Sequence, residues 1–154
     1  AKRQVFFVSL GGFDNHDSIL TDHPTLMTRL GVAMRYFHDV LAELGVLDRV
    51  TAFTGSDFGR TLTSNANGSD HGWGSMHFVM GGAVRGQNFY GTPPAIANNG
   101  PDDVGQGRLL PTLSVDQYAA TLATWFGVSN GNLSTVVPNI NNYNPSTWNI
   151  GFMN

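Results

Sequence analysis

Gln4 to Leu10 (QVFFVSL) is a short, nearly continuous apolar run that stops at Gly11-Gly12. A run of that length, rich in Val and Phe, predicts a strand buried on both faces, as in a parallel sheet. Asp14 to Asp22 is polar and turn-like. From Pro24 onward, Leu26, Leu30, Ala33, Met34, Phe37, Val40, Leu41 and Leu44 recur at helical spacing, which predicts an amphipathic helix with Pro24 at its first position and Gly45 just past its end. Val50 to Thr54 (VTAFT) reads as a second short strand. Strand, helix and strand together predict a βαβ unit with parallel strands and a right-handed crossover.

Further along, residues 61–75 are a Gly/Asn/Ser-rich loop, His77 to Met80 a third strand, and Gln87 to Tyr90 a short edge strand. Residues 91–113 hold Pro93-Pro94 and little periodicity, which predicts a long surface excursion. Ser114 and Gln117 have capping-box spacing. They open a helix with Tyr118, Leu122, Trp125 and Phe126 along one face and Gly127 as terminator. The expected fold class is α/β, a mostly parallel sheet flanked by helices. It forms one domain over 1–154, with a body over 1–128 and an irregular Asn/Pro/Ser-rich tail over 129–154 packed on it.

Composition narrows the function classes. Of 154 residues, 41% are hydrophobic, enough for a core, while the 12% that are charged are about half the usual share. A net charge of −3 and a single lysine, Lys2, with no basic run argue against a nucleic-acid platform. Apolar runs fall short of the roughly 18 residues a membrane span needs. With no cysteine, thiol catalysis, disulfides and thiolate-bound zinc are excluded. The acidic residues are ten Asp and one Glu, Glu43. Asp favours turns and element ends, where sites are built. One lysine amid much Asn, Ser, Thr and Gly points to an exported protein.

Ligands in open α/β sheets bind beyond the carboxyl ends of strands. Three such loops carry potential ligands: Asp14 and His16 after the first strand, Asp57 after the second, and Asp70-His71 before the third. Carboxylate and neutral imidazole suit Zn²⁺, Mn²⁺ or a mixed site. Each residue also has a plainer reading. Asp14 closes a turn, Asp57 caps the next segment of chain, and His77 is a core histidine or supports a ligand. Arg60 either holds an anionic substrate group bidentately or pairs with a local Asp. His23 and His38 belong to the helix entrance and its solvated face. No G-x-S-x-G elbow and no Gly-rich nucleotide loop is present.

Taken in order, Gly11-Gly12-Phe13-Asp14-Asn15-His16, Gly55-Ser56-Asp57-Phe58-Gly59-Arg60, Ser69-Asp70-His71-Gly72-Trp73-Gly74 and Phe78-Val79-Met80-Gly81-Gly82-Ala83-Val84-Arg85-Gly86 resemble the C-terminal half of the bacterial domain-of-unknown-function family 1501. That family is similar to the alkaline-phosphatase-like superfamily, and the resemblance runs over about residues 5 to 127. It implies the C-terminal part of an α/β/α sandwich with divalent metal, zinc, manganese or calcium, held by Asp14, His16, Asp57 and His71. Asp70 and His77 would stand behind these ligands, and Arg60 would hold the substrate. The superfamily's histidine after Asp57 is replaced by Phe58, which cannot ligate. The nucleophile would lie outside this chain, and the abrupt strand at Val5 fits a fragment of a longer precursor.

Two functions are therefore expected to compete. One is the metal-binding half of an exported hydrolase of phosphate or sulfate esters, inactive as this chain alone. The other is a non-catalytic binding or assembly module with a relic metal site. Expected partners are the missing N-terminal half of the same precursor, another protein chain, or a second copy in a homo-oligomer.

Overall fold

The computed structural model describes residues 3–154. Helix α1 spans Ile19–Glu43, starting ahead of Pro24. The N–H groups of Thr21 and Asp22 both bond to the Ser18 carbonyl at 3.0 Å, closing a first turn before the proline is reached. Only Leu26 and Leu41 of this helix are buried, and Phe37, Val40 and Leu44 on its apolar stripe are exposed.

The expected parallel sheet is not formed. Strand β1 (Ala52–Phe53) pairs antiparallel with β4 (Val79–Met80), Ala52 opposite Met80 and Phe53 opposite Val79. A second antiparallel pair joins β2 (Gly59–Ser64) to β3 (Ser69–Gly72). The βαβ unit fails because residues 4–10 pair with nothing. They form no strand, turn or bend, and no backbone hydrogen bond joins them to any other described residue. An apolar run states how much burial a segment needs. It does not supply the neighbouring strand. Gln87–Tyr90 likewise forms no strand, and the Tyr90 hydroxyl instead donates to the Arg85 carbonyl at 2.8 Å.

The β2–β3 hairpin falls mostly within the stretch 61–75 expected to be loop and begins just before it. Its turn is built by polar side chains: the Asn65 Oδ1 accepts from the Gly68 N–H at 2.9 Å, and the Gly68 carbonyl accepts from the Asn65 N–H at 3.1 Å. Such local bonding is what Asn offers a turn. The far edge of β2 is occupied by the 105–108 loop, where the N–H of Leu62 donates to the Gly107 carbonyl at 3.0 Å. The long 91–113 excursion is tied by its aspartates, Asp102 accepting from the Ala95 N–H and Asp103 from the N–H groups of Asn99 and Gly105.

Helix α2 (Val115–Phe126) opens with the expected capping box. The Ser114 hydroxyl accepts from the Gln117 N–H, and the Gln117 side chain accepts from the Ser114 N–H. It ends at Gly127, whose φ of 102° is the left-handed cap glycine favours. Most of the core gathers on this helix. Ala120 packs with Leu133, Val137 and Ile140, and Leu122 with Phe152 and Met153. Residues 129–154 hold a short helix α3 (Leu133–Val136) and three 3₁₀ turns. The fully buried Thr121 hydroxyl accepts from the Ile150 N–H at 2.9 Å and donates to the Gln117 carbonyl, fastening the segment to α2. Among the described residues no helix is long and apolar enough to cross a membrane.

Candidate metal centre

Hairpin register brings the site together. Arg60 on β2 stands directly opposite His71 on β3, so their side chains share one face of the ribbon. That face meets the 12–16 loop, which is held against the hairpin turn. The Ser69 N–H donates to the Asn15 carbonyl at 3.5 Å, and the Ile19 N–H to the Asn67 carbonyl at 3.3 Å. The backbones approach so closely that a Cβ on Gly68 would lie 2.3 Å from the His16 carbonyl oxygen. Only glycine fits there.

Arg60 completes the lock. Its Nε donates to the Ser69 hydroxyl at 3.0 Å, and its Nη2 donates to the carbonyls of Asn15 and Ser69. The remaining nitrogen, Nη1, is buried without a hydrogen bond and lies 3.7 Å from Asp14 Oδ1. That separation is an ion pair rather than a hydrogen bond. The guanidinium thus spends most of its donors on the backbone that shapes the loop.

At the surface above this lock, Asp14, His16 and His71 converge. Their ligand atoms all lie within 4.8 Å of one another. Asp14 Oδ1 is 2.7 Å from His71 Nε2 and 2.9 Å from His16 Nε2. The other nitrogen of His16, Nδ1, is 3.3 Å from Asp70 Oδ1, and that oxygen also accepts from the Asn65 side chain at 3.1 Å. The hydrogen bond from His71, followed by the charges of His16, His71 and Arg60, holds the Asp14 carboxyl below the usual aspartate range.

Of the residues expected as ligands, Asp14, His16 and His71 come together. Asp57 is exposed and lies outside the group. Asp70 stands behind His16. His77 faces the β1 end instead: its Nδ1 is 3.2 Å from the Thr54 hydroxyl and its ring stacks on Tyr118. The sequence reading missed the role of Phe58. Its ring stacks on His71, with centroids 3.7 Å apart and planes 4° from parallel, so the residue that cannot ligate fixes the plane of one that can. The doublet position next to Asp57 was the signal, read there only as a lost ligand.

The donor set fits a borderline divalent cation: two imidazole nitrogens and a carboxylate oxygen, with a carboxylate behind one imidazole to fix its tautomer. Ligand atoms around zinc, at about 2.0–2.1 Å from it, sit roughly 3.3 Å apart in tetrahedral geometry. The two spacings to Asp14 are shorter, because His71 is hydrogen-bonded to it and His16 lies in ion-pair range, and a cation would replace both contacts.

Comparison with known families settles the kinship. The model of a protein family of unknown function, DUF1501, matches residues 1–137. The chain belongs to the DUF1501 family. No curated protein and no solved structure matches it. The membership agrees with the family resemblance of the four Gly-flanked motifs, and two of those motifs supply the triad of this DUF1501 chain.

Proposed function

We propose that this DUF1501 chain binds one divalent cation, zinc or manganese, at Asp14, His16 and His71, and that the site serves hydrolysis of phosphate or sulfate esters. The observation that carries the reading is the convergence of two imidazoles and one carboxylate on an exposed face. Three protein ligands leave room for water or substrate, the pattern of catalytic rather than structural zinc sites. A bound cation would supply Lewis acidity toward an ester oxygen and an activated water.

The chain's own residues have separable roles. Asp14 supplies the anionic ligand. Asp70, 3.3 Å from His16 Nδ1, would keep the proton on that nitrogen and leave Nε2 for the ion. Phe58 holds the His71 ring in plane, and Arg60 sets the distance between the loop and the hairpin. The low lysine content supports an exported setting. A second reading, a non-catalytic assembly module, is favoured by a separate observation, the uncovered apolar segment before Gly11.

Calorimetric titration of chelator-treated protein with zinc, manganese and calcium chlorides tests the proposal, with p-nitrophenyl phosphate and sulfate as generic substrates. The expected result is one equivalent of zinc or manganese taken up by the chain, and metal-dependent ester hydrolysis once the proposed N-terminal half is added, both lost in His71→Ala. Metal uptake without hydrolysis in the presence of that half would favour the assembly reading. No uptake by folded protein would refute the site.

A further inference from the structure

We propose that residues Val5–Val8 form a self-complementary strand through which two copies of this chain pair antiparallel about a two-fold axis. The four residues are 78%, 82%, 93% and 89% exposed, although they are Val-Phe-Phe-Val and no charge occurs from Gln4 to Phe13. The segment is nonetheless anchored at both ends. The Arg3 guanidinium lies 5.9 Å over the Phe126 ring at the end of α2, and Gly12 abuts Leu26 of α1. Its backbone makes no hydrogen bond with any other described residue, so its strand-pairing groups have no partner there.

The chain as a whole carries more exposed surface than its mass calls for. The chain exposes 10616 Å², whereas a folded protein of 16.6 kDa exposes about 7,600 Å². The surplus of roughly 3,000 Å² is spread along the chain, and Val5–Val8 is among its most exposed apolar parts. The two phenylalanines alone offer roughly 300–400 Å².

The occupant is identified by the sequence of the segment itself, which reads the same in both directions. Antiparallel pairing about an axis between Phe6 and Phe7 sets Val5 against Val8 of the partner subunit and Phe6 against Phe7 of the partner subunit. Such pairing is isologous, as a two-fold interface requires. Each ribbon face then carries two Phe and two Val, and aromatic and β-branched residues meet their own kind across the strands. With no charge in the strip, nothing opposes self-association.

Sedimentation equilibrium of the chain, run in chelator so that metal plays no part, should show a dimer. Phe7→Lys should shift it to monomer, and Phe89→Lys, at an equally exposed phenylalanine elsewhere, should leave it dimeric. Phe7 touches no core, and circular dichroism checks that the variant stays folded. Register is tested by cross-linking, because the chain has no cysteine of its own. A mixture of Val5→Cys and Val8→Cys chains should form a disulfide-linked dimer under mild oxidation, and Val5→Cys alone should not. In the proposed register the two Val5 positions are roughly 10 Å apart along the strands, beyond the reach of about 7 Å for a disulfide. A monomer at all concentrations, a dimer that survives Phe7→Lys, an open-ended ladder of sizes, or cross-linking of Val5→Cys alone would each overturn the proposal.

Discussion

Replacing Arg60 with methionine keeps the apolar stem and removes the guanidinium that joins the 12–16 loop to the β2–β3 hairpin. Only 18% of the side chain is exposed, and its Nε and Nη2 serve the Ser69 hydroxyl and the carbonyls of Asn15 and Ser69. The Ser69 carbonyl and hydroxyl would lose the guanidinium and the Asn15 carbonyl would keep only the 3.5 Å bond from the Ser69 N–H, and each unpaired buried group costs about 1–3 kcal/mol. The unpartnered Nη1 disappears with the substitution and offsets a little of that loss. The expected destabilisation is about 3 kcal/mol, which for a chain of this size lowers Tm by roughly 6–12 °C. Arg60→Lys should recover little, because one ammonium cannot span three acceptors in the planar arrangement a guanidinium matches. Urea denaturation of both variants beside the parent provides the assay. A loss below about 0.5 kcal/mol, the range of ordinary surface changes, would refute the reasoning. It would return Arg60 to the alternative role of a free clamp for an anionic substrate.

Four further outcomes are expected. Asp70→Asn should weaken zinc binding about 10–100-fold by removing the carboxylate behind His16, while Asp57→Asn should leave calorimetric affinity unchanged. Ser114→Ala should cost about 1 kcal/mol in urea denaturation through loss of the α2 cap. Thr121→Val should cost about 1–3 kcal/mol in the same assay, because the Ile150 N–H loses its acceptor in the core. Burial lowers the His77 pKa from its ordinary 6.5, so the unfolded chain binds the proton more readily. The contribution of His77 to stability is complete above 6.5 and is lost as pH falls through 6.5 toward the folded value. An NMR titration should place its midpoint below 6.5, and His77→Gln should flatten that part of the stability profile.

The two long helices were legible in the sequence because their signals are local. The apolar stripe from Leu26 to Leu44 needs only helical spacing to be read, and Ser114, Gln117 and Gly127 carry their capping chemistry with them. Three residues of the candidate site were legible for a related reason: imidazoles and carboxylates beside glycines have few neighbours of their own to pack on. The sheet was not legible, because strand pairing is decided by partners distant in the chain. Val5 to Val8 has the composition of a central strand and pairs with nothing within the described residues. The β2–β3 hairpin, GRTLTS against SDHG, lacks apolar alternation, and polar turn bonding at Asn65 and Gly68 holds it instead. That hairpin decides the site, since the opposition of Arg60 and His71 is a matter of register. Asp57 fell outside the cluster for the same reason. It precedes the hairpin and does not share its face.

The central claim is that Asp14, His16 and His71 act as one metal-ligand set, and the most direct measurement is a histidine ¹H–¹⁵N NMR titration of the chelator-treated chain with zinc. The account predicts that the Nε2 resonances of His16 and His71 shift together and stop moving at one equivalent, while His23, His38 and His77 stay in place. Silence at His16 and His71, or an equal response from all five histidines, would contradict it.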